Sequence, residues 1–254
     1  MEQWEKALDS FLIEWRRNPE VTAVMVCGSY VTGNPSPRSD IDIHIILDKN
    51  LNWRERGNKI VNGFVIEYFA NPPKQIIKYF EEDYRNKRTM SMVQFLTGKV
   101  LFDRTGIIEQ LKMEAAQWKN KKYEEMNETF LEIKKYSIWD SYDNLLDCYE
   151  QDRSDFLLVY HNSLCQLFSD YCSFIGYQQI PYYKIHSFLT DPKYKEKYLT
   201  DPFPDDQFRK LFIKVIEENV KELMMERYKE LYGYVLEKMG GFHIDGWKIK
   251  TNVE

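Results

Sequence analysis

Between residues 2 and 17 the apolar side chains fall at Trp4, Ala7, Leu8, Phe11, Leu12 and Trp15, the spacing of an amphipathic helix. The pattern then changes. Val21-Thr22-Ala23-Val24-Met25-Val26-Cys27 is a β-rich run that ends at Gly28-Ser29 and predicts a buried strand. Two prolines and a glycine in Gly33-Asn34-Pro35-Ser36-Pro37-Arg38-Ser39 exclude regular structure there. The pattern predicts a strand over residues 41–47, a helix over 51–60, and a third strand over 64–69 that Asn71-Pro72-Pro73 stops. A helix over 74–87 follows, and residues 92–102 read as an extended segment interrupted at Thr97-Gly98.

After Gly106 the character becomes helical. From residue 107 to 176, Glu and Lys occupy the polar faces and aromatics the apolar ones. A turn region with Gly176, Pro181, Pro192, Pro202 and Pro204 precedes one long helix over 205–239, which Gly240-Gly241 ends. The expected architecture is α+β: a small mixed-sheet α/β domain over 1–112 followed by an all-helical domain over 113–254. Neither an internal repeat nor a low-complexity stretch interrupts it.

Composition narrows the classes of function. With 43% hydrophobic and 30% charged residues in 254, the chain is globular in composition and not disordered. Lys and Arg number 35 against 40 Asp and Glu, so no basic excess exists to hold a long nucleic acid. The two halves differ, with 16 basic against 15 acidic residues over 1–112 and 19 against 25 over 113–254. Cys27, Cys148, Cys165 and Cys172 show no metal-like pairing, which fits a reducing cytoplasm. The acidic start of the chain lacks an apolar signal-peptide core, and no apolar run approaches ~18 residues, so neither secretion nor a membrane span is expected.

The candidate chemistry sits in Gly28-Ser29 and the Asp40-Ile41-Asp42 start of the second strand. Alternation puts Asp40 and Asp42 on one face and Ile41, Ile43 and Ile45 on the other. Two carboxylates converging on one space repel unless a cation lies between them, and Mg²⁺ takes such hard oxygen ligands together with substrate phosphate. Gly28 lets the backbone approach a ligand closely, and the Ser29 hydroxyl with neighbouring N–H groups suits phosphate oxygens. Glu67 is a third carboxylate, inside the apolar run Phe64-Val65-Ile66-Glu67-Tyr68-Phe69, where a charge is costly unless paired or bound to metal. Pairing with Arg54 or Arg56 is the plainer reading of it. Three carboxylates beside a phosphate-binding turn are the parts of two-metal nucleotidyl transfer. His44 continues the Asp40/Asp42 face as a hydrogen-bonded strand histidine. Arg38 precedes the motif in a loop, a candidate to bind phosphate or touch the metal-site carboxylates, with a solvent-facing loop arginine as an equally good reading.

Gly28-Ser29, ten residues, Asp40-x-Asp42 and a lone acid in the next strand resemble the nucleotidyltransferase superfamily that includes DNA polymerase β. The plan of a small α/β domain followed by helices resembles the minimal bacterial aminoglycoside and lincosamide nucleotidyltransferases. The resemblance implies metal ligation by Asp40, Asp42 and Glu67, and phosphate binding by Gly28 and Ser29. In Trp139-Asp140-Ser141-Tyr142-Asp143-Asn144-Leu145-Leu146-Asp147, three acids share one helical face, and the resemblance favours Asp143 as the base that deprotonates an attacking hydroxyl. Lys184, in Pro181-Tyr182-Tyr183-Lys184, is placed by the same resemblance at the nucleotide triphosphate.

The expected activity is Mg²⁺-dependent transfer of a nucleoside monophosphate, AMP from ATP, to a hydroxyl of a small molecule such as an aminoglycoside-like antibiotic. Two other readings stay open: modification of a protein side chain, and a non-catalytic, antitoxin-like binding protein. The long helix over 205–239 offers a surface for a second copy of the chain or another partner.

Overall fold

Helix α1 (Gln3–Arg17) buries Ala7, Leu8, Phe11 and Leu12, four of the six apolar positions that define its stripe. In the computed structural model, which describes residues 2–251, it leads into β1 (Val21–Cys27), the short turn of helix α2 (Ser29–Thr32) and β2 (Ile41–Leu47). Met1 and residues 252–254, the ends of the expected domains 1–112 and 113–254, lie outside the described residues. Strands β3 (Glu55–Val61) and β4 (Phe64–Asn71), helices α3 (Pro73–Arg85) and α4 (Met90–Thr97), strand β5 (Lys99–Asp103) and helix α5 (Ile107–Asn120) complete the first of two units. That unit comprises Met1–Lys121 with Lys197–Leu199, and the second Lys122–Glu196 with Thr200–Glu254. Helix α5 carries residue 112 in its interior and buries Ile108, Leu111 and Ala115.

The five strands form one mixed sheet in the order β3-β4-β2-β1-β5. Strand β2 pairs parallel to β4, and the other pairs are antiparallel. Ile41, Ile43 and Ile45 face α1, packing with Leu8, Phe11 and Leu12. On the other face Ala23, Met25 and Ile46 pack with Ile76 and Phe80 of α3, Phe95 of α4 and Leu111 of α5. Asp42 and His44 share the face of Ile46 by alternation.

Three expected elements are corrected. Residues 51–60, read as a helix, contain the start of edge strand β3, hairpinned to β4 through Asn62-Gly63. Both turn residues have positive φ, 50° and 85°, the geometry that an Asn-Gly pair favours in a two-residue hairpin. A Cβ on Gly57 would come within 2.6 Å of the Tyr68 hydroxyl across the hairpin, so glycine gives that side chain its present place. Residues 92–102, read as extended, are the last turns of α4 followed by β5; Met92, Val93 and Phe95 bury one helical side. The single long helix over 205–239 is two, α10 (Asp206–Glu217) and α11 (Lys221–Lys238). The Glu218 carboxylate accepts the N–H groups of Asn219 at 2.9 Å and Val220 at 3.0 Å, capturing donors that a continuous helix would use.

The second unit is helical: α6 (Glu128–Glu150), α7 (Phe156–Phe174), a 3₁₀ turn (Tyr182–Lys184), α8 (Ile185–Thr190) and α9 (Pro192–Lys197) precede α10 and α11. Its core is aromatic, with Phe168 4.9 Å from Phe212 and Tyr171 stacked 4.2 Å from Phe208 between ring centroids. No described helix is long and apolar enough to cross a membrane.

Asp205 ties three of these helices together. Its carboxylate caps α10 by accepting the Phe208 N–H at 2.9 Å, and also accepts the hydroxyls of Tyr234 at 2.8 Å and of Tyr171. Asp205→Ala leaves the buried Tyr171 hydroxyl without its acceptor and α10 without its cap, an expected loss of about 3 kcal/mol in urea unfolding at pH 7. Burial raises this carboxyl's pKa, but the Phe208 N–H and the two tyrosines outweigh it, so the net shift is downward. The stabilisation is therefore complete above the unfolded carboxylate value of about 3.9 and declines as pH falls through the lower folded value. The gap between wild type and Asp205→Ala should close on acidification, and a gap independent of pH from 7 to the acid limit would contradict this account.

Candidate active site

Asp40 immediately precedes β2, Asp42 lies on it, and Glu67 on β4 is the register partner of Asp42 in the parallel pair. One carboxylate oxygen from each of the three lies within 4.8 Å of the others, and all three side chains are half-buried. The strands position them by a simple rule: parallel neighbours in register put their side chains on the same face.

Gly28 closes one side of this cluster. Its φ of 77° is a backbone conformation that L side chains rarely adopt, and a Cβ built on it would fall onto Asp42 Oδ2. The glycine therefore admits both the turn from β1 into α2 and the Asp42 carboxylate. Ser29, the first residue of α2, is half-buried beside it.

Cys27 faces Asp42 across the β1–β2 pair. Burial first, and then the charges of Asp42, Asp40 and Glu67, push its thiol well above its ordinary pKa. The groups that converge closely enough to hold a metal ion are Asp40, Asp42 and Glu67, three hard carboxylates without a thiolate. That set fits a hard divalent cation such as Mg²⁺.

Glu67 also has the arginine partner that the sequence left open between two positions. Arg56 Nη2 lies 2.6 Å from Glu67 Oε1, whereas Arg54 donates to the Tyr79 hydroxyl at 2.7 Å. His44 is buried, its Nε2 lies 3.2 Å from Gln94 Oε1, and its ring stacks on Phe69 at 5.3 Å. Burial lowers its pKa to about 4 against the opposing effect of Gln94, so the imidazole is neutral at pH 7. No local pattern links His44 to Gln94, which is 50 residues away.

The other candidates are placed as follows. Arg38 is exposed in the turn closed by the Ser39 N–H to Ser36 carbonyl bond, and makes no ion pair among the described residues. Asp143 and Lys184 belong to the second unit. Asp143 is exposed on α6, beside the Tyr142–Tyr232 stack whose centroids are 4.2 Å apart. Burial, then Tyr142 and Asp143, raise the Tyr232 hydroxyl to about 12. Its helical neighbours Asp140 and Asp147 accept hydrogen bonds from Asn144 at 3.2 Å and Gln151 at 2.6 Å, one turn on. Lys184 ends the 3₁₀ turn with Nζ 5.8 Å from the Tyr183 ring centroid.

Residues 13–63 match the family described as polymerase beta, nucleotidyltransferase. That span contains Gly28, Ser29, Asp40 and Asp42 and ends four positions before Glu67. A solved nucleotidyltransferase-like protein from Exiguobacterium sibiricum is similar at 12% identity and a TM-score of 0.45, over 92% of this chain and 75% of that one. Spectinomycin adenyltransferase AAD(9) from Enterococcus faecialis, solved with ATP and spectinomycin, is similar at 14% identity and a TM-score of 0.30, over 93% of this chain and 96% of that one. No curated protein matches the chain. With the Gly28-Ser29 turn, Asp40, Asp42 and the matched span all in its first unit, the chain resembles the nucleotidyltransferases of the polymerase beta family.

Proposed function

We propose that this chain moves a nucleoside monophosphate, AMP from ATP, onto a hydroxyl of a small molecule. The observation that carries the reading is the convergence of Asp40, Asp42 and Glu67 within 4.8 Å, beside a glycine turn that leaves room for them. In the transfer, a bond forms between the acceptor oxygen and the α-phosphorus, the bond from that phosphorus to the bridging oxygen breaks, and pyrophosphate leaves.

Asp40, Asp42 and Glu67 would hold Mg²⁺, which when bound supplies positive charge against the phosphate oxygens. Gly28 allows phosphate to approach the backbone, and the Ser29 hydroxyl donates to it. Arg38 and Lys184 supply positive charge to the triphosphate, and Lys184 with Ser29 holds the departing pyrophosphate. Asp143 accepts the proton of the attacking hydroxyl. Phosphoryl chemistry asks mainly for positioning and charge neutralisation, so these groups suffice for the reaction class. The acidic excess of residues 113–254, with 25 Asp and Glu against 19 Lys and Arg, favours a cationic acceptor such as an aminoglycoside.

The test is pyrophosphate release with Mg²⁺ and each of the four nucleoside triphosphates, against aminoglycosides, lincosamides and simple polyols. Release that needs both ATP and one acceptor class supports the proposal and names the acceptor. Absence of release, together with absence of Mg²⁺–ATP binding by calorimetry, would overturn it.

A further inference from the structure

Glu67 belongs to two charge networks at once. On one side it faces Asp40 and Asp42; on the other, Arg56 donates from Nη2 at 2.6 Å and from Nε at 3.2 Å to the same oxygen, Oε1. Arg56 comes from the edge strand β3, where its register partner is Phe69, and its guanidinium carbon stands 4.8 Å from the Phe69 ring centroid. The two partners differ in freedom: the Arg56 side chain is 69% exposed and that of Glu67 16%. An ion pair of this exposure adds little to stability. Its effect falls instead on the charge of the acidic cluster. Three carboxylates this close repel one another, and Arg56 offsets part of that repulsion at Glu67. A divalent cation and the guanidinium would both draw on the same carboxylate and repel each other.

We propose that Arg56 is a built-in counter-ion of Glu67, which weakens the hold of the triad on a free divalent cation and yields when the cation arrives with a phosphate-bearing ligand. The inference rests on the metal-binding reading of Asp40, Asp42 and Glu67. The long, exposed arginine can leave the carboxylate while its guanidinium stays over Phe69, where a ring face attracts a cation. An anionic ligand then offers it a replacement partner of higher charge. Arg54, two positions away, is engaged with the Tyr79 hydroxyl and does not duplicate the contact. The consequence is a coupling between cation and nucleotide that must be reciprocal, each raising the affinity of the other by the same factor. Arg56 is thus a positioning residue that acts through Glu67.

The experiment titrates the full chain with Mn²⁺ alone, following free Mn²⁺ by electron paramagnetic resonance, and repeats it with a non-hydrolysable ATP analogue. Arg56→Gln is expected to bind Mn²⁺ alone about five-fold more tightly than wild type, as removal of a partly screened neighbouring charge requires. The same variant should show a smaller gain on adding the nucleotide analogue. Arg56→Lys, which keeps the charge, should stay close to wild type, which separates a charge effect from a disturbance of the edge strand. Unchanged or weaker Mn²⁺ binding by Arg56→Gln would overturn the counter-ion role while leaving the metal site standing. If wild type shows no Mn²⁺ binding that Asp42→Asn removes, the metal-site reading itself fails, and the counter-ion role fails with it.

Discussion

Replacing Asp42 by Asn is expected to lower the proposed acceptor-dependent pyrophosphate release by about 10³-fold or more while the chain still folds. The size follows from what is removed. Asn keeps the shape of Asp and its place on β2, but it takes away one full negative charge from a cluster whose oxygens lie within 4.8 Å of one another. A neutral amide oxygen is a far weaker ligand for a hard cation than a carboxylate. Stability should move the other way. Like charges this close oppose folding in the absence of a cation, so the unfolding midpoint of Asp42→Asn is expected at or above that of wild type. Thermal melts in chelator beside the activity assay check both halves. Activity within ten-fold of wild type would remove Asp42 from the reaction.

Gly28→Ala is expected to have the second largest effect, about 10²-fold in the proposed activity, through displacement of Asp42 and not through any change of charge. A Cβ at position 28 would fall onto Asp42 Oδ2, and the φ of 77° is strained for alanine in addition. The strain alone is expected to cost about 1 kcal/mol of stability, the clash somewhat more. A double-mutant cycle separates the two terms. In an Asp42→Ala background the carboxylate that the new methyl would strike is gone, so the stability cost of Gly28→Ala should shrink to the backbone part. Equal costs in both backgrounds would show that the glycine serves the turn alone.

Much of the fold is visible in local pattern, and the failures have a common cause. Helix α1 and strands β1, β2 and β4 are strongly amphipathic or continuously apolar, so periodicity identifies them within a residue or two. Strand β3 is missed because it is an edge strand with mostly exposed residues and no apolar period. The Asn62-Gly63 pair was the signal available for it, since that dipeptide fits a two-residue hairpin. Helix α4 is missed for the opposite reason: its residues are apolar enough to pass for a buried strand, and only the packing of Met92, Val93 and Phe95 on one side shows a helix. The break between α10 and α11 depends on one glutamate, Glu218, accepting the next two backbone N–H groups, with no proline or glycine to announce it.

The sequence by itself determined the α+β class, the turn at Gly28-Ser29 and the shared face of Asp40 and Asp42, because each depends on residues close together along the chain. Tertiary structure decided the rest. The parallel pairing of β2 with β4 makes Asp42 and Glu67 register partners, although 25 positions separate them, and the β3 hairpin selects Arg56 over Arg54 as the partner of Glu67. Alternation along a strand is a property of the local backbone. Which strands become neighbours, and in what register, is settled only by the burial of both sheet faces together.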